Sequence, residues 1–169
     1  MFVVSQMYDV GTQRRIRSMS GHTSPVLCFA WNEFILSSGS ANGAINHYDV
    51  RVQDHKVSTI PDGHDGLAVC GLTWSPGHRY LASGGNDNAV RIWVPAAGTG
   101  EGRAMKDGAQ PFTVFTQHQA AVKALAWCPW KTNVIASGGG TNDRAIRIWD
   151  VNSGVVRKEV SLPFPGLSR

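Results

Sequence analysis

Charge is scarce in this sequence: Lys and Arg number 16 and Asp and Glu 12 among 169 residues, so 17% of the chain is charged and the formal net charge is +4. An average soluble domain carries about 25%. So low a share, beside 42% apolar residues, argues against disorder and against a basic nucleic-acid-binding tail. Long apolar runs are also missing. No window approaches the ~18 consecutive apolar residues of a membrane span, and residues 1–10 lack the basic head and apolar run of an export signal, so an intracellular protein is expected. Cysteine is sparse: Cys28, Cys70 and Cys128 lie far apart, in or beside apolar runs that end at Trp31, Trp74 and Trp127. None has a Cys or His partner at the roughly two-to-four-residue spacing of a zinc site, so buried reduced thiols and no metal are expected.

Glycine is what the chain has in plenty, 19 residues together with 8 prolines. They cut one domain's length of chain into short pieces, which suits many short strands and leaves no room for long helices. The pieces repeat. A Gly-His or Gln-His pair at His22, His64 and His118 is followed 26, 29 and 31 residues later by an aromatic, Tyr48, Trp93 or Trp149. Between them come an apolar run ending in Trp31, Trp74 or Trp127 and a small-residue strand (Leu36-Ser37-Ser38-Gly39, Leu81-Ala82-Ser83-Gly84, Ile135-Ala136-Ser137-Gly138). A polar turn and an alternating strand at 44–50, 89–94 or 145–151 complete the unit. The alternation in Val90-Arg91-Ile92-Trp93 and Ile146-Arg147-Ile148-Trp149 has period two, the mark of a strand with one buried face.

The spacing from Tyr48 to Trp93, 45 residues, is similar to that of a WD repeat, and the 56 from Trp93 to Trp149 is lengthened by a Gly-rich stretch at 95–111. That stretch reads as a surface loop before an outer strand at 112–116, and its Gly98-Thr99-Gly100-Glu101-Gly102 lacks the Lys-Ser/Thr ending of a phosphate loop. Residues 3–10 and 14–19 resemble the last two strands of a preceding repeat. The expected fold is therefore all-β: a WD-repeat propeller fragment at 1–160, with about three four-stranded blades (repeats at about 21–60, 63–116 and 117–160) and the end of a preceding blade at 1–19. A divergent tail is expected at 161–169, the pattern fading after Val156, and three blades that cannot close are expected to leave apolar faces open.

In WD repeats a His, a strand Ser or Thr, a turn Asp and the Trp form a hydrogen-bonded tetrad. The resemblance assigns His64, Ser83, Asp87 and Trp93 to one, and His118, Ser137, Asp143 and Trp149 to another. His22, Ser38, Asn42 and Tyr48 form a third, with an amide for the carboxylate and a phenol for the indole, and the blade it serves is expected to be held less firmly. His64, Ser83 and Asp87 are also the residue types of a hydrolytic triad, but the trio recurs at His118, Ser137 and Asp143, and a nucleophile needs an exposed turn where these serines sit in strands. Architecture, and no enzyme, is the reading. Arg14, Arg15 and Arg17 are expected on a solvated outer strand, and His47, His55 and His78 have no partner at ligand spacing.

Several strings are more specific. Tyr80-Leu81-Ala82-Ser83-Gly84-Gly85-Asn86-Asp87-Asn88, Thr116-Gln117-His118-Gln119-Ala120-Ala121-Val122-Lys123-Ala124, Ala126-Trp127-Cys128-Pro129-Trp130 and Gly138-Gly139-Gly140-Thr141-Asn142-Asp143-Arg144 all resemble the Fizzy family, as does Asp49-Val50-Arg51-Val52 with His55 and Val57. Its members are the cell-division-cycle co-activators of the anaphase-promoting complex. The resemblance implies a seven-bladed propeller that captures degrons on substrates such as cyclins and securin. It would present them to that ubiquitin ligase in the nucleus and cytoplasm and stimulate transfer without catalysing it. It also implies spindle-checkpoint partners, no cofactor, no nucleic acid and no membrane. Asn86, Asn88 and Thr141 match the family's positions that bind the lysine-glutamate-asparagine degron. The family's docking segments, its first blade, the blades after the fifth begins and the destruction-box groove have no counterpart here, so a truncated form is expected. The alternative is a general WD scaffold for another peptide.

Overall fold

The computed structural model describes residues 3–95 and 104–162, so the Gly98–Gly102 segment and the tail from 163 onward lie outside the described residues. Among the described residues fourteen strands follow one another: β1 Val3–Tyr8, β2 Arg15–His22, β3 Val26–Asn32, β4 Ile35–Ser40, β5 Ile45–Asp49, β6 Lys56–Ile60, β7 Val69–Trp74, β8 Leu81–Gly85, β9 Val90–Trp93, β10 Thr113–Phe115, β11 Val122–Trp127, β12 Val134–Gly139, β13 Ala145–Asp150 and β14 Val155–Ser161. Among the described residues the helical content is one 3-10 turn at Pro76–His78, and no helix is long and apolar enough to cross a membrane.

Within each sheet the strands pair antiparallel with their neighbours in sequence, giving a two-stranded sheet β1-β2 and three four-stranded meanders, β3 to β6, β7 to β10 and β11 to β14. Tight turns with left-handed residues make this possible. Gly43 (φ 85°) and Asn88 (φ 63°) occupy that region in the β4–β5 and β8–β9 turns, where Gly has no Cβ to clash and Asn tolerates the strain.

The cores lie between sheets. Ile45 and Ile60 of one meander meet Val69, Leu72, Leu81 and Trp93 of the next, and Val90, Ile92 and Phe115 of that one meet Val122, Ile135 and Trp149 of the third. Phe115 stacks on Trp149 with centroids 4.4 Å apart. Met19 of β2 closes on Leu36 and Tyr48. Each fully covered aromatic or aliphatic side chain contributes about 1.5–3 kcal/mol. A sheet buried on both faces needs small residues on its second strand, which is why Ser37-Ser38-Gly39 and Ala82-Ser83-Gly84 are wholly buried.

Two kinds of contact then lock sheet to sheet. Glycines let backbones touch: a Cβ added at Gly71 would sit 2.5 Å from the Lys123 carbonyl oxygen, and one at Gly84 2.5 Å from that of Val122. Indoles also reach across. Trp74 Nε1 donates to Ser37 Oγ of the preceding sheet at 3.1 Å, and Trp127 Nε1 to the Thr73 carbonyl at 3.2 Å.

Four expectations need correction. The thiols are free but only half-buried, because Cys28 and Cys70 lie on the innermost strand of each meander, which is a sheet edge, and Cys128 follows such a strand. β14 does not fade at Val156 but pairs with β13 as far as Ser161, held by the ladder and by Arg147 Nε donating to Glu159 at 3.3 Å, neither of which an apolar pattern reveals. The outer strand after the inserted stretch is only Thr113–Phe115, and β2 continues through to His22. Apart from these, His47 has a hydrogen-bonding partner that ligand spacing does not address: its Nδ1 lies 2.8 Å from Ser37 Oγ. On the first meander, Leu27, Phe29 and Trp31 of β3 remain about half exposed, an apolar face without a covering sheet among the described residues.

Gly71→Ala and Gly84→Ala must each move a neighbouring backbone. Each is expected to lower stability by about 1–3 kcal/mol, read from urea unfolding curves, whereas Ala at Gly138, whose new Cβ would approach only the Ala124 methyl at 3.3 Å, is expected to cost less.

Candidate functional site

A buried hydroxyl organises each of the last two meanders. Ser83 Oγ lies 2.8 Å from His64 Nε2 and accepts from Trp93 Nε1 at 2.8 Å, while His64 Nδ1 lies 2.8 Å from Asp87 Oδ1. Ser137 Oγ repeats this with His118 Nε2 (2.6 Å) and Trp149 Nε1 (2.7 Å), and His118 Nδ1 reaches Asp143 at 2.5 Å. The carboxylate fixes the tautomer: Nδ1–H donates to Asp, so the Ser hydroxyl donates to Nε2 and is free to accept the indole N–H. Burial alone would raise Asp87 and Asp143. The imidazole hydrogen bond, backbone amides and an arginine outweigh it and hold both carboxyls below the usual range.

Those arginines, Arg91 and Arg147, stand four residues beyond the turn carboxylates and close each turn from the strand side, at 3.0 and 2.8 Å. The repeated Asp-to-Arg spacing was visible in the sequence as part of the alternating strand, although its partner was not.

The first meander differs. His22 Nε2 meets Ser38 Oγ at 2.7 Å, but Asn42 does not take the carboxylate's place: its Oδ1 accepts from Ser40 Oγ and its Nδ2 donates to Thr23 at 3.3 Å. A neutral amide lacks the charge that would hold it on the imidazole, so His22 Nδ1 is buried without a partner. Tyr48 Oη accepts from Asn46 at 3.1 Å. A second network stands beside it. Trp74 donates to Ser37, whose hydroxyl then donates to His47 Nδ1, which leaves the proton on a buried His47 Nε2 that has no partner. Burial, with Lys56 nearby, pushes His22 down to about 4, and burial pushes His47 down to about 4 against the pull of Asp107.

These turns carry the exposed polar residues. Asn86 and Asn88 flank Asp87 in the β8–β9 turn, and Thr141 and Asn142 precede Asp143 in the β12–β13 turn. The structure brings Asn86, Asn88 and Thr141 together on one open groove of about 810 Å³, also lined by Gln119, Lys123 and Asn142. Within the described residues the side chains of Asn86, Asn88, Gln119, Lys123 and Thr141 make no hydrogen bond or ion pair, so their donors and acceptors face the groove's solvent. Gln119 and Asn142 adjoin tetrad residues and were legible by adjacency; Lys123 was not. Among the described residues no group of three His, Cys, Asp or Glu side chains could hold a metal ion.

Four-stranded meanders stacked face to face, pinned by hydroxyl–imidazole–indole networks, are the blades of a WD-type β-propeller. The family described as WD domain, G-beta repeat matches residues 13–49, 55–94 and 109–150. The chain is 47% identical over 150 residues to the anaphase-promoting complex subunit cdc20 of Dictyostelium discoideum, covering 89% of this chain and 28% of that protein. Against the APC/C activator protein CDH1 of Saccharomyces cerevisiae it is 42% identical over 155 residues, 92% of this chain and 25% of that one. A chain in the crystal structure of a mitotic checkpoint complex superposes with a TM-score of 0.81 at 44% identity, over 94% of this chain and 44% of that one. The chain belongs to the WD-repeat family; it is similar over most of its own length to these cell-division-cycle and APC/C activator proteins, and spans about a quarter of the length of these curated relatives.

Ser83→Ala strands a buried imidazole nitrogen and a buried indole N–H, and is expected to cost about 2–3 kcal/mol in urea unfolding. Ser38→Ala is expected to cost less, since His22 already carries an unpaired nitrogen. The two depressed histidines predict a pH dependence. Both are neutral when folded, whereas the unfolded chain protonates near 6.5, so their contribution is complete above that pH and is lost as pH falls towards about 4. Unfolding midpoints should drop between pH 7.5 and pH 5, and less steeply in a His22→Gln/His47→Gln variant.

Proposed function

We propose that the chain supplies a degron-reading surface of a co-activator that presents substrates to the anaphase-promoting complex, inside the cell in nucleus and cytoplasm. The observation that carries this reading is the convergence of Asn86, Asn88 and Thr141, unpartnered and solvent-facing, on one groove between neighbouring blades. A side-chain amide both donates and accepts, so two asparagines and a hydroxyl can pair with the amide and carboxylate of a lysine-glutamate-asparagine peptide. Rigid blades hold the turns in place before the peptide arrives, which lowers the ordering cost of binding. The names of the relatives and the checkpoint assembly of the structural neighbour support the ligase and spindle-checkpoint proteins as partners, and degron-bearing substrates such as cyclins and securin are the ligands that this reading assigns to the groove.

The role is non-catalytic. Ser83 and Ser137, the hydroxyls of the triad-like sets, are buried beneath Trp93 and Trp149 and spend their hydrogen bonds there, out of reach of any substrate.

A labelled lysine-glutamate-asparagine peptide titrated against the chain by fluorescence anisotropy is expected to saturate. Asn86→Ala should weaken it roughly three- to tenfold, the loss of about one hydrogen bond in an open groove. Equal affinity for a scrambled peptide, or no binding by a chain that unfolds cooperatively, would remove the proposal.

A further inference from the structure

The inner strands β3, β7 and β11 share one irregularity: their register against the second strand slips between Val26 and Cys28, between Val69 and Gly71, and between Val122 and Ala124. The extra residue at each bulge is Leu27, Cys70 or Lys123. A bulge leaves that residue out of the ladder and re-aims its side chain. The geometry is common to three blades; the chemistry is not, because only the third bulge carries a charge.

Lys123 lines the groove that holds Asn86, Asn88 and Thr141, and it is the one charged side chain among the groove's lining residues. It is exposed and has no ion-pair partner within the described residues. The carboxylates of the adjoining turns cannot neutralise it. Asp87 is tied to His64 and Arg91, and Asp143 to His118 and Arg147. The backbone at Lys123 is fixed from below, where its carbonyl packs against Gly71 with no room for a Cβ. Its ammonium is felt at the neighbouring bulge: burial raises the Cys70 thiol, and Lys123 pulls it back part of the way. The groove is thus a field of neutral donors and acceptors around a single positive charge.

We propose that Lys123 is the charge-selecting residue of the groove, pairing with the carboxylate of an acidic peptide side chain while Asn86, Asn88 and Thr141 read the neutral groups beside it. This rests on the degron reading, and within a lysine-glutamate-asparagine peptide it assigns Lys123 to the glutamate. The pair is partly open to water, so its contribution is modest and sensitive to salt.

The test is a four-way comparison: the chain and Lys123→Gln, each titrated by anisotropy with the lysine-glutamate-asparagine peptide and with the same peptide carrying Gln for Glu, at about 50 and about 300 mM salt. The Glu peptide should bind the unsubstituted chain roughly three- to fivefold more tightly than the Gln peptide at low salt, and that preference should shrink at high salt. Lys123→Gln should bind both peptides alike, a coupling that a merely structural lysine would not show. A variant that keeps the full preference for Glu, or an unsubstituted chain that binds both peptides equally, overturns the assignment and leaves the degron reading standing. An unsubstituted chain that binds neither peptide overturns both. Thermal unfolding of the variant, expected to be unchanged at this exposed position, separates lost charge from lost fold.

Discussion

Ser83 and Ser137 each satisfy two buried nitrogens on different strands, an imidazole from the chain entering the blade and an indole from its third strand. In a sheet covered on both faces no water can replace those bonds, so an unmet donor or acceptor would cost a large part of a domain's net stability. The hydroxyl must therefore stay small, central and correctly oriented, and the carboxylates of Asp87 and Asp143 enforce that by choosing the histidine tautomer. Turn, strand and blade entry become one unit.

The first meander shows what happens when one member changes. With Asn42 in the carboxylate's position, the imidazole of His22 keeps only its hydroxyl contact, and Tyr48 accepts from Asn46 in addition to its contact with Ser38. Part of the lost order is replaced by a different device, the Trp74–Ser37–His47 relay, which ties this blade to the next one. Stability has moved from within the blade to between blades. The two histidines that pay for it with unpaired nitrogens are the groups that make this end of the molecule sensitive to acid.

The groove is a by-product of the same constraint. Because His64 and His118 pin the turns that hold Asp87 and Asp143, the residues flanking those aspartates are displayed in a fixed geometry without packing duties of their own. The side chains of Asn86, Asn88 and Thr141 are without internal hydrogen bonds among the described residues for that reason. Rigid turns with idle polar groups are a natural place for peptide recognition, since the scaffold and the ligand-reading residues are paid for separately in sequence.

Period-two alternation, the His-to-aromatic spacing and the small-residue strands were enough to place every blade, because backbone pairing between neighbours in sequence leaves a local signature. The recurring Ser, His, Asp and Trp identified two tetrads for the same reason. Other features depend on contacts between distant segments, which no local pattern encodes. The rotation of Asn42 away from His22 is decided by Ser40 and Thr23, and the role of His47 by an indole 27 residues ahead in the next blade. β14 persists to Ser161 through its ladder with β13, although its composition is that of a solvated surface. Lys123 reads in sequence as one solvated residue of an inner strand; only the register slip, and the packing of one blade on the next, turn it into the single charge of a neutral groove. The sequence by itself determined the succession of the strands and the two complete hydrogen-bonded sets, because these are properties of neighbouring segments. Which polar groups stay unpaired, and where they meet, was decided by the stacking of blades, because burial and free hydrogen-bonding capacity exist only once the sheets have closed on one another.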